Sequence, residues 1–496
     1  MAVKVDTQKE IIFGSSDPNI SRVLSKKEKD GELRKVAPRI YTTNLVDSLE
    51  NIVRRNLIDI LVYRYPAAII SHRSAKEMRP TATGDFFLTN STTRRVTDLP
   101  GIILNFVKGS KASSHDIPFM GMYISGEHRY MLENMQVSRK SGDESRVLPI
   151  SVIENKLEQI LLTGGEDRLN KYRDELRTVA EELGMQTEFA KINSIISALL
   201  STHDAKVLST DSAKALAVGN PFDKTRVELF EVLFEAIKDR YFVIRNNRNT
   251  DEESFRLFSF FESYFSNYIE GTEFEIDEAK AIVDSGIPMP RRDEDSHDIL
   301  GTFKVLSNRT EMMKTPTSPK ELFSILSHRH SILLEGRPHM TPGIFKMKNN
   351  RAGMTEFVDY QLVKGTLSQG FKYYAALTDP FARAIFMMFM ISEVHPFNDG
   401  NGRVARVMMN AELVRADQSR IIVPTVFRED YILALRKLTR HRDPLAYINV
   451  MTKLHQFSDN LYGTDFTELK NYLAVCNAYE EPSQAKLQII DRTIIE

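Results

Sequence analysis

Apolar residues along this chain follow two patterns, which divide it into a mixed first part and a helical second part. The segment from Leu45 to Tyr65 places apolar residues on one face and predicts an amphipathic helix. The runs AAIIS, DFFLT and GIILNFV are short, apolar or aromatic, and bounded by turn residues, which predicts strands. Residues 1–30 are polar and predict a loose arm, whereas residues 31–150 predict a small α+β domain.

The pattern after this domain is almost entirely helical. Residues 151–222 predict a helical linker, residues 223–455 a helical domain, and residues 456–496 a C-terminal helical tail. One segment interrupts the helical domain, GIFKMKNNRAGMTEFV, and its two strand-like runs around Asn349 and Asn350 predict a β-hairpin. The fold class is therefore predicted to be mainly α.

Composition adds constraints on partners and on location. The chain has 496 residues with a formal net charge of −1, so no global field favours nucleic acid. The first residues lack the pattern of a signal peptide, and no run approaches the roughly 20 apolar residues of a membrane helix, so we expect a cytoplasmic protein without a membrane partner. The one cysteine, Cys476, excludes an internal disulfide and a cysteine-based metal site, and its surroundings predict packing.

The segment HPFNDGNGRVAR, which begins at His395, has the composition of a polyphosphate site. It follows a buried helix predicted over Pro380–Val394 and leads into a second helix that begins at Arg403. Gly400 and Gly402 allow backbone N–H groups to converge on an anion at the positive end of that second helix. The sequence therefore predicts an anion cradle between two helices.

Four side chains of this segment supply the chemistry that a phosphate reaction needs. Arg403 and Arg406, three residues apart, emerge on one helical face where guanidinium groups can grip phosphate oxygens. Asp399 offers an oxygen ligand for Mg²⁺, which often binds through one carboxylate and substrate phosphates. His395 has a near-neutral pKa in its ordinary state and suits a general base.

This segment resembles the signature of the Fic family, His-Pro-Phe-x-Asp/Glu-Gly-Asn-Gly-Arg-x-x-Arg, at every fixed position, and the resemblance covers roughly residues 225–455. It implies a helical domain whose β-hairpin flap aligns a target protein beside the motif. It also implies that His395 deprotonates a Tyr, Ser or Thr hydroxyl, which attacks the α-phosphate of ATP while Asp399 holds magnesium and pyrophosphate leaves. The substrate is then a protein with an exposed hydroxyl, and a second copy of this chain can serve as that substrate. A homodimer is compatible with the resemblance.

The same resemblance assigns further residues to nucleotide binding. They form the anion hole, the outer-phosphate contacts, the adenine pocket and the flap edge, and they are Gly400, Asn401, Gly402, Arg403, Arg406, Asn410, Tyr431, Asn350, Arg351, Ala352 and Gly353. Doc-like members, which phosphorylate their targets, carry Lys at the position of Gly402, so glycine here favours AMP transfer. A Doc-like kinase and a phosphocholine or UMP transferase remain the enzymatic alternatives, because the base pocket decides the nucleotide.

A regulatory motif is predicted at the end of a helix over residues 251–270. The run SNYIEG, with Ser266 and Glu270, resembles the family's inhibitory motif, whose Glu pairs with the second Arg of the signature, here Arg406. The segment SILLEG, from residue 331 to 336, has the same spacing, but Glu270 is preferred because it precedes the flap. We expect low wild-type activity, and whether Glu270 also positions water to remove AMP stays open.

The first part of the chain supports a rival hypothesis. Residues 31–150 faintly resemble AbiEi-type antitoxin and winged-helix modules, which implies DNA binding or target recruitment. In that reading the chain is a DNA-binding regulator whose Fic domain senses nucleotide, although the intact motif favours catalysis. The basic residues near the predicted helix are Arg34, Lys35, Arg39, Arg54 and Arg55.

Overall fold

The computed structural model describes residues 9–201, 205–353 and 355–492, and these residues form two compact units. The boundary lies between Val218 and Gly219. Among the described residues, none of the helices combines the length and the apolar composition needed to cross a membrane.

The described residues of the first unit form helices and two β-sheets, in agreement with the predicted α+β fold class, and the helices predicted over residues 151–222 as a linker belong to this unit as far as Val218. A three-stranded antiparallel sheet has the order β1-β3-β2, and a six-stranded mixed sheet has the order β6-β7-β5-β4-β9-β8. The elements are β1 (Ile11–Phe13), α1 (Pro18–Lys29), β2 (Arg34–Ala37), β3 (Ile40–Thr42), α2 (Leu49–Arg55), α3 (Leu57–Arg64), β4 (Ile69–Ile70), α4 (His72–Glu77), β5 (Asp85–Asn90), β6 (Arg94–Leu99), β7 (Ile102–Lys108), β8 (Ile117–Phe119), β9 (Met122–Ile124), α5 (Glu127–Glu133), α6 (Ile150–Leu183), α7 (Gln186–Leu199) and α8 (Asp211–Ala217).

Two predictions for the first unit are wrong. Residues 11–29 are not a loose arm, because Ile11 and Ile12 are buried in β1, which pairs with β3, and Asp17 caps α1. Residues 1–8 of the predicted arm lie outside the described residues. The single helix predicted over residues 45–65 is two helices, α2 and α3, which meet at the non-helical residue Asn56.

The second unit is helical apart from one two-stranded hairpin, as predicted. Its elements are α9 (Lys224–Ile237), α10 (Glu252–Ile269), α11 (Ile276–Ser285), α12 (Asp293–Leu306), α13 (Arg309–Met312), α14 (Pro319–Leu333), β10 (Arg351–Ala352), β11 (Thr355–Glu356), α15 (Val363–Ala376), α16 (Pro380–Val394), α17 (Asn401–Arg415), α18 (Arg428–His441), α19 (Pro444–Ser458) and α20 (Phe466–Val475). The predicted separate tail is part of this unit, since Tyr472, Leu473 and Cys476 are buried in its core.

Helix α16 lies at the centre of the second unit. Asp379 caps its first turn by accepting from the backbone N–H of Ala382 at 2.8 Å, and Pro380 occupies its first position. The side chains from Ile385 to Ile391 are all completely buried, as expected of a helix that is apolar on every face. This helix and α17 pack against each other and fix the two ends of the loop that joins them, residues 395–400.

Candidate active site

The loop at residues 395–400 turns sharply because two of its residues adopt left-handed backbone conformations. His395 ends α16 with φ 52°, and Gly400 precedes α17 with φ 70°. A positive φ is costly for histidine, and residues held in this way cluster at functional sites. The turn presents the His395 side chain and the N-terminus of α17 in the same loop.

The His395 ring is neutral and has one nitrogen free for proton transfer. Its Nδ1 lies 3.1 Å from the carbonyl oxygen of Ser392, so Nδ1–H donates to that oxygen and Nε2 keeps its lone pair. The ring stacks on Phe357 with centroids 3.6 Å apart and planes 4° apart. Burial lowers the pKa of His395 to about 4. At neutral pH the ring is therefore a proton acceptor.

Asn401 is the first residue of α17, and its side chain also stabilises the loop before it. Its Oδ1 accepts from the backbone N–H of Phe397 at 2.8 Å, and its Nδ2 donates to the carbonyl of the same residue at 2.9 Å. Its amide group therefore closes the loop upon itself. The backbone N–H of Asn401 is in the first turn of α17, and the contribution of this residue to an anion hole stays a prediction.

Arg406 contacts both residues of the predicted inhibitory motif. Its Nη2 donates to Glu270 Oε1 at 2.7 Å and to the carbonyl of Ser266 at 2.9 Å, and its Nε donates to Ser266 Oγ at 2.9 Å. The two motif residues lie at the C-terminal end of α10, and Arg406 is buried. The competing segment does not make this contact, because Glu335 pairs with Lys304 at 3.2 Å.

Arg403 is also paired with a carboxylate, which differs from the prediction of two arginines open toward phosphate. Its Nη1 lies 2.8 Å from Asp298 Oδ2, and its Nη2 lies 3.5 Å from Asp399 Oδ2. Asp298, in α12, is buried and also accepts from Arg337. Arg403 is only 2% exposed, so its guanidinium group is buried beside the loop.

Asp399 has the exposure and position that a magnesium ligand needs. Its side chain is 39% exposed beside the N-terminus of α17, while its backbone carbonyl accepts from His330 Nε2 at 2.9 Å. No cluster of three metal-ligating side chains occurs within residues 9–201, 205–353 and 355–492. One carboxylate next to a phosphate cradle fits Mg²⁺, which takes its remaining ligands from phosphates and water.

The predicted hairpin, whose described residues 350–353 and 355–357 we call the flap, lies against the loop. Arg351 pairs with Glu356, and Ala352 with Thr355. Asn350 Nδ2 donates to the carbonyl of Phe397 at 2.9 Å and so connects the flap to the motif. Arg351, Ala352 and Gly353 are exposed.

The two predicted adenine-pocket residues are buried. Asn410 Nδ2 donates to Glu262 Oε1 at 2.7 Å and to the carbonyl of Ile421 at 2.8 Å, and its Oδ1 accepts from the N–H of Ile421. Tyr431 is 3% exposed, and burial raises its pKa. These contacts are structural, and the assignment of both residues to an adenine pocket stays a prediction.

Four further residues beside the motif were not identified from the sequence. Phe357 lies in the flap and Lys346 lies four residues before it, and their only signal was their place within the segment predicted to form the hairpin. His330 stacks on Phe397 with centroids 3.7 Å apart, and Asp298 holds Arg403. Both come from helices more than sixty residues before the motif, where no local pattern marks them.

Comparison with known proteins identifies the domain that carries this site. Residues 323–413 match the model of the Fic/DOC family, and this range includes the flap, the loop and all of α16. Residues 323–413 therefore form a Fic/DOC-family domain, in agreement with the resemblance of the motif.

Several curated relatives are protein adenylyltransferases by name. The protein adenylyltransferase Fic of Nematostella vectensis is 27% identical over 216 residues, which cover 40% of this chain and 47% of the relative. The protein adenylyltransferase fic-1 of Caenorhabditis elegans is 24% identical over 177 residues, or 35% of each chain. The chain thus spans less than half the length of these relatives. A solved structure of C. elegans Fic-1 aligns with a TM-score of 0.36 at 15% identity, covering 66% of this chain and 94% of that one.

Proposed function

We propose that this protein transfers AMP from ATP to a hydroxyl side chain of a protein. The observation that carries the proposal is the neutral His395 ring, whose Nε2 is free for a proton beside the N-terminus of α17. The names of the curated relatives support the same reaction. In this mechanism Nε2 takes the proton of the target hydroxyl, the hydroxyl oxygen attacks the α-phosphorus, and the bond to the bridging oxygen breaks to release pyrophosphate.

The surrounding groups would bind the nucleotide. Backbone N–H groups at Gly400 to Gly402 face the region in front of α17, where the helix end favours an anion. Asp399 would hold magnesium, which supplies neutralisation of phosphate charge when bound. Gly402 supports AMP transfer over the Doc-like reaction, because the Doc-like members that the motif resembles carry a lysine at this position.

We propose further that Glu270 inhibits this reaction. Its contact with Arg406 occupies a guanidinium that the family signature assigns to the outer phosphates of ATP. A carboxylate in that position repels a γ-phosphate and removes its cationic partner. The chain would then be inactive until Glu270 moves away from Arg406.

The test measures transfer of label from ATP labelled at the α or the γ position, with magnesium, in wild type, Glu270→Gly and His395→Ala. We expect protein-bound label from α-labelled ATP only, stronger in the Glu270 variant and absent in the His395 variant. Label from the γ position alone would identify a kinase instead. No label from either position, in any variant, would reject both ATP-dependent reactions.

A further inference from the structure

Lys346 is a buried cation at the base of the flap, three residues after Gly343 and outside the family signature. It is 3% exposed, and its ammonium group donates to Asn350 Oδ1 at 2.7 Å and lies 3.4 Å from the carbonyl oxygen of Val394. Its backbone N–H donates to the carbonyl of Pro396 at 2.9 Å. The residue thus contacts the chain on both sides of His395.

The contacts of Lys346 continue through Asn350 to the other side of the loop. Asn350 Nδ2 donates to the carbonyl of Phe397, and its own carbonyl accepts from the N–H of Phe357 at 3.3 Å. Phe357 is the residue whose ring stacks on His395. One buried ammonium group therefore connects the backbone before His395, the backbone after it, and the flap residue that covers its ring.

We propose that Lys346 is a positioning residue for AMP transfer, which holds the flap and the loop together so that Phe357 keeps the His395 ring aligned. This inference rests on the proposed function for its effect on rate. The burial of a lysine costs free energy, and such a residue persists only where its hydrogen bonds offset that cost.

The charge of Lys346 has a second consequence at His395. Burial lowers the pKa of Lys346 to about 8, so the group carries its charge at neutral pH. This cation disfavours a second charge on the imidazole, whereas the carboxylates of Glu270 and Asp399, also near the ring, favour it. Removal of the Lys346 charge should therefore raise the pKa of His395, which burial otherwise keeps low.

The first readout does not depend on activity and uses the NMR signals of isotope-labelled histidine rings in the full chain. The His395 signal, assigned by its loss in His395→Ala, should carry the ring-current shift of the stacked Phe357. In Lys346→Met we expect the His395 signal to lose that shift and to titrate with a higher midpoint. In Lys346→Arg and Lys348→Met we expect the ring-current shift and the midpoint of the wild type. The signal of His455, which lies in α19, should not change and controls for unfolding.

The second readout is AMP transfer in a Glu270→Gly background. We expect Lys346→Met to lower kcat roughly 10- to 100-fold with little change in KM for ATP, since small misplacements of a catalytic group have costs of this size. Lys346→Arg should recover part of the loss, and Lys348→Met, in an exposed residue, should cost nothing. An unchanged His395 signal in Lys346→Met, or an unchanged kcat, would overturn the inference. A changed signal without α-label transfer in any variant would reject the proposed reaction and retain the positioning role.

Discussion

Glu270 Oε1 lies 2.7 Å from Nη2 of Arg406, so the end of α10 is joined to α17 by an ion pair between a buried guanidinium and a carboxylate side chain that is 31% exposed. The same oxygen would lie 2.1 Å from a Cβ at Gly402. The carboxylate of Glu270 therefore fills space beside Gly402 and also pairs with the positive charge of Arg406, the second arginine of the motif. This double contact makes the inhibitory role of Glu270 open to direct tests.

Replacing Glu270 by Gly should raise AMP transfer about 5- to 150-fold, the range of typical coupling free energies between regulatory and active sites. The reason is that Arg406 then loses its carboxylate partner and can turn to phosphate. Initial rates with α-labelled ATP measure the effect. Glu335→Gly is the matched control, because Glu335 has the same motif spacing but pairs with Lys304, and it should leave the rate unchanged.

Substituting Gly402 by Ala should destabilise the wild type by about 1 kcal/mol or less, because the new methyl group meets the end of the Glu270 side chain, which can move at a cost below that of an overpacked core. Most of this cost should disappear in Glu270→Gly, since the atom nearest the new methyl is then absent. A double-mutant cycle of unfolding free energies measures the coupling. Additive effects would mean that Glu270 does not occupy this space in solution.

The activity of the Glu270→Gly variant should persist to a pH well below the ordinary histidine pKa of about 6.5. Burial lowers the pKa of His395 to about 4, so the neutral base is present above that value and is lost as pH falls through it. The acid limb of kcat/KM against pH, which reports the free enzyme, should therefore lie near pH 4 or below, because this variant lacks the Glu270 carboxylate that raises the pKa of His395. An acid limb near 6.5 would contradict a buried His395. His395→Ala should lose about 10²- to 10⁴-fold at every pH.

Replacing Arg420 by Met should lower the free energy of unfolding by about 3–5 kcal/mol, because it leaves the carboxylate of Glu262 buried without its ion partner. The two groups lie 3.0 Å apart and are both nearly inaccessible to solvent. Urea denaturation measures the loss. Lys280→Met removes the partner of Asp284 on the protein surface and should cost less than about 1 kcal/mol. Equal losses in the two variants would show that burial does not decide the cost.

The predicted elements that proved correct are those whose local pattern is strong. The bounds of α16 follow from Pro380 at its start and from an apolar run that has no polar face to expose. The hairpin followed from turn residues between two short runs. The loose arm was wrong, because β1 is short and gains its stability from pairing with β3 about thirty residues later, a contact that no local pattern contains.

By itself the sequence indicated the Fic domain, the loop with its histidine and glycines, and the pairing of Glu270 with Arg406, because these depend on residue types at fixed spacings. Only the tertiary structure decided that Arg403 pairs with Asp298, that Phe357 covers the His395 ring and that Lys346 joins the flap to the loop. The physical reason is that these contacts join segments far apart in the chain. Their energies depend on burial and distance, which arise only when the helices have packed.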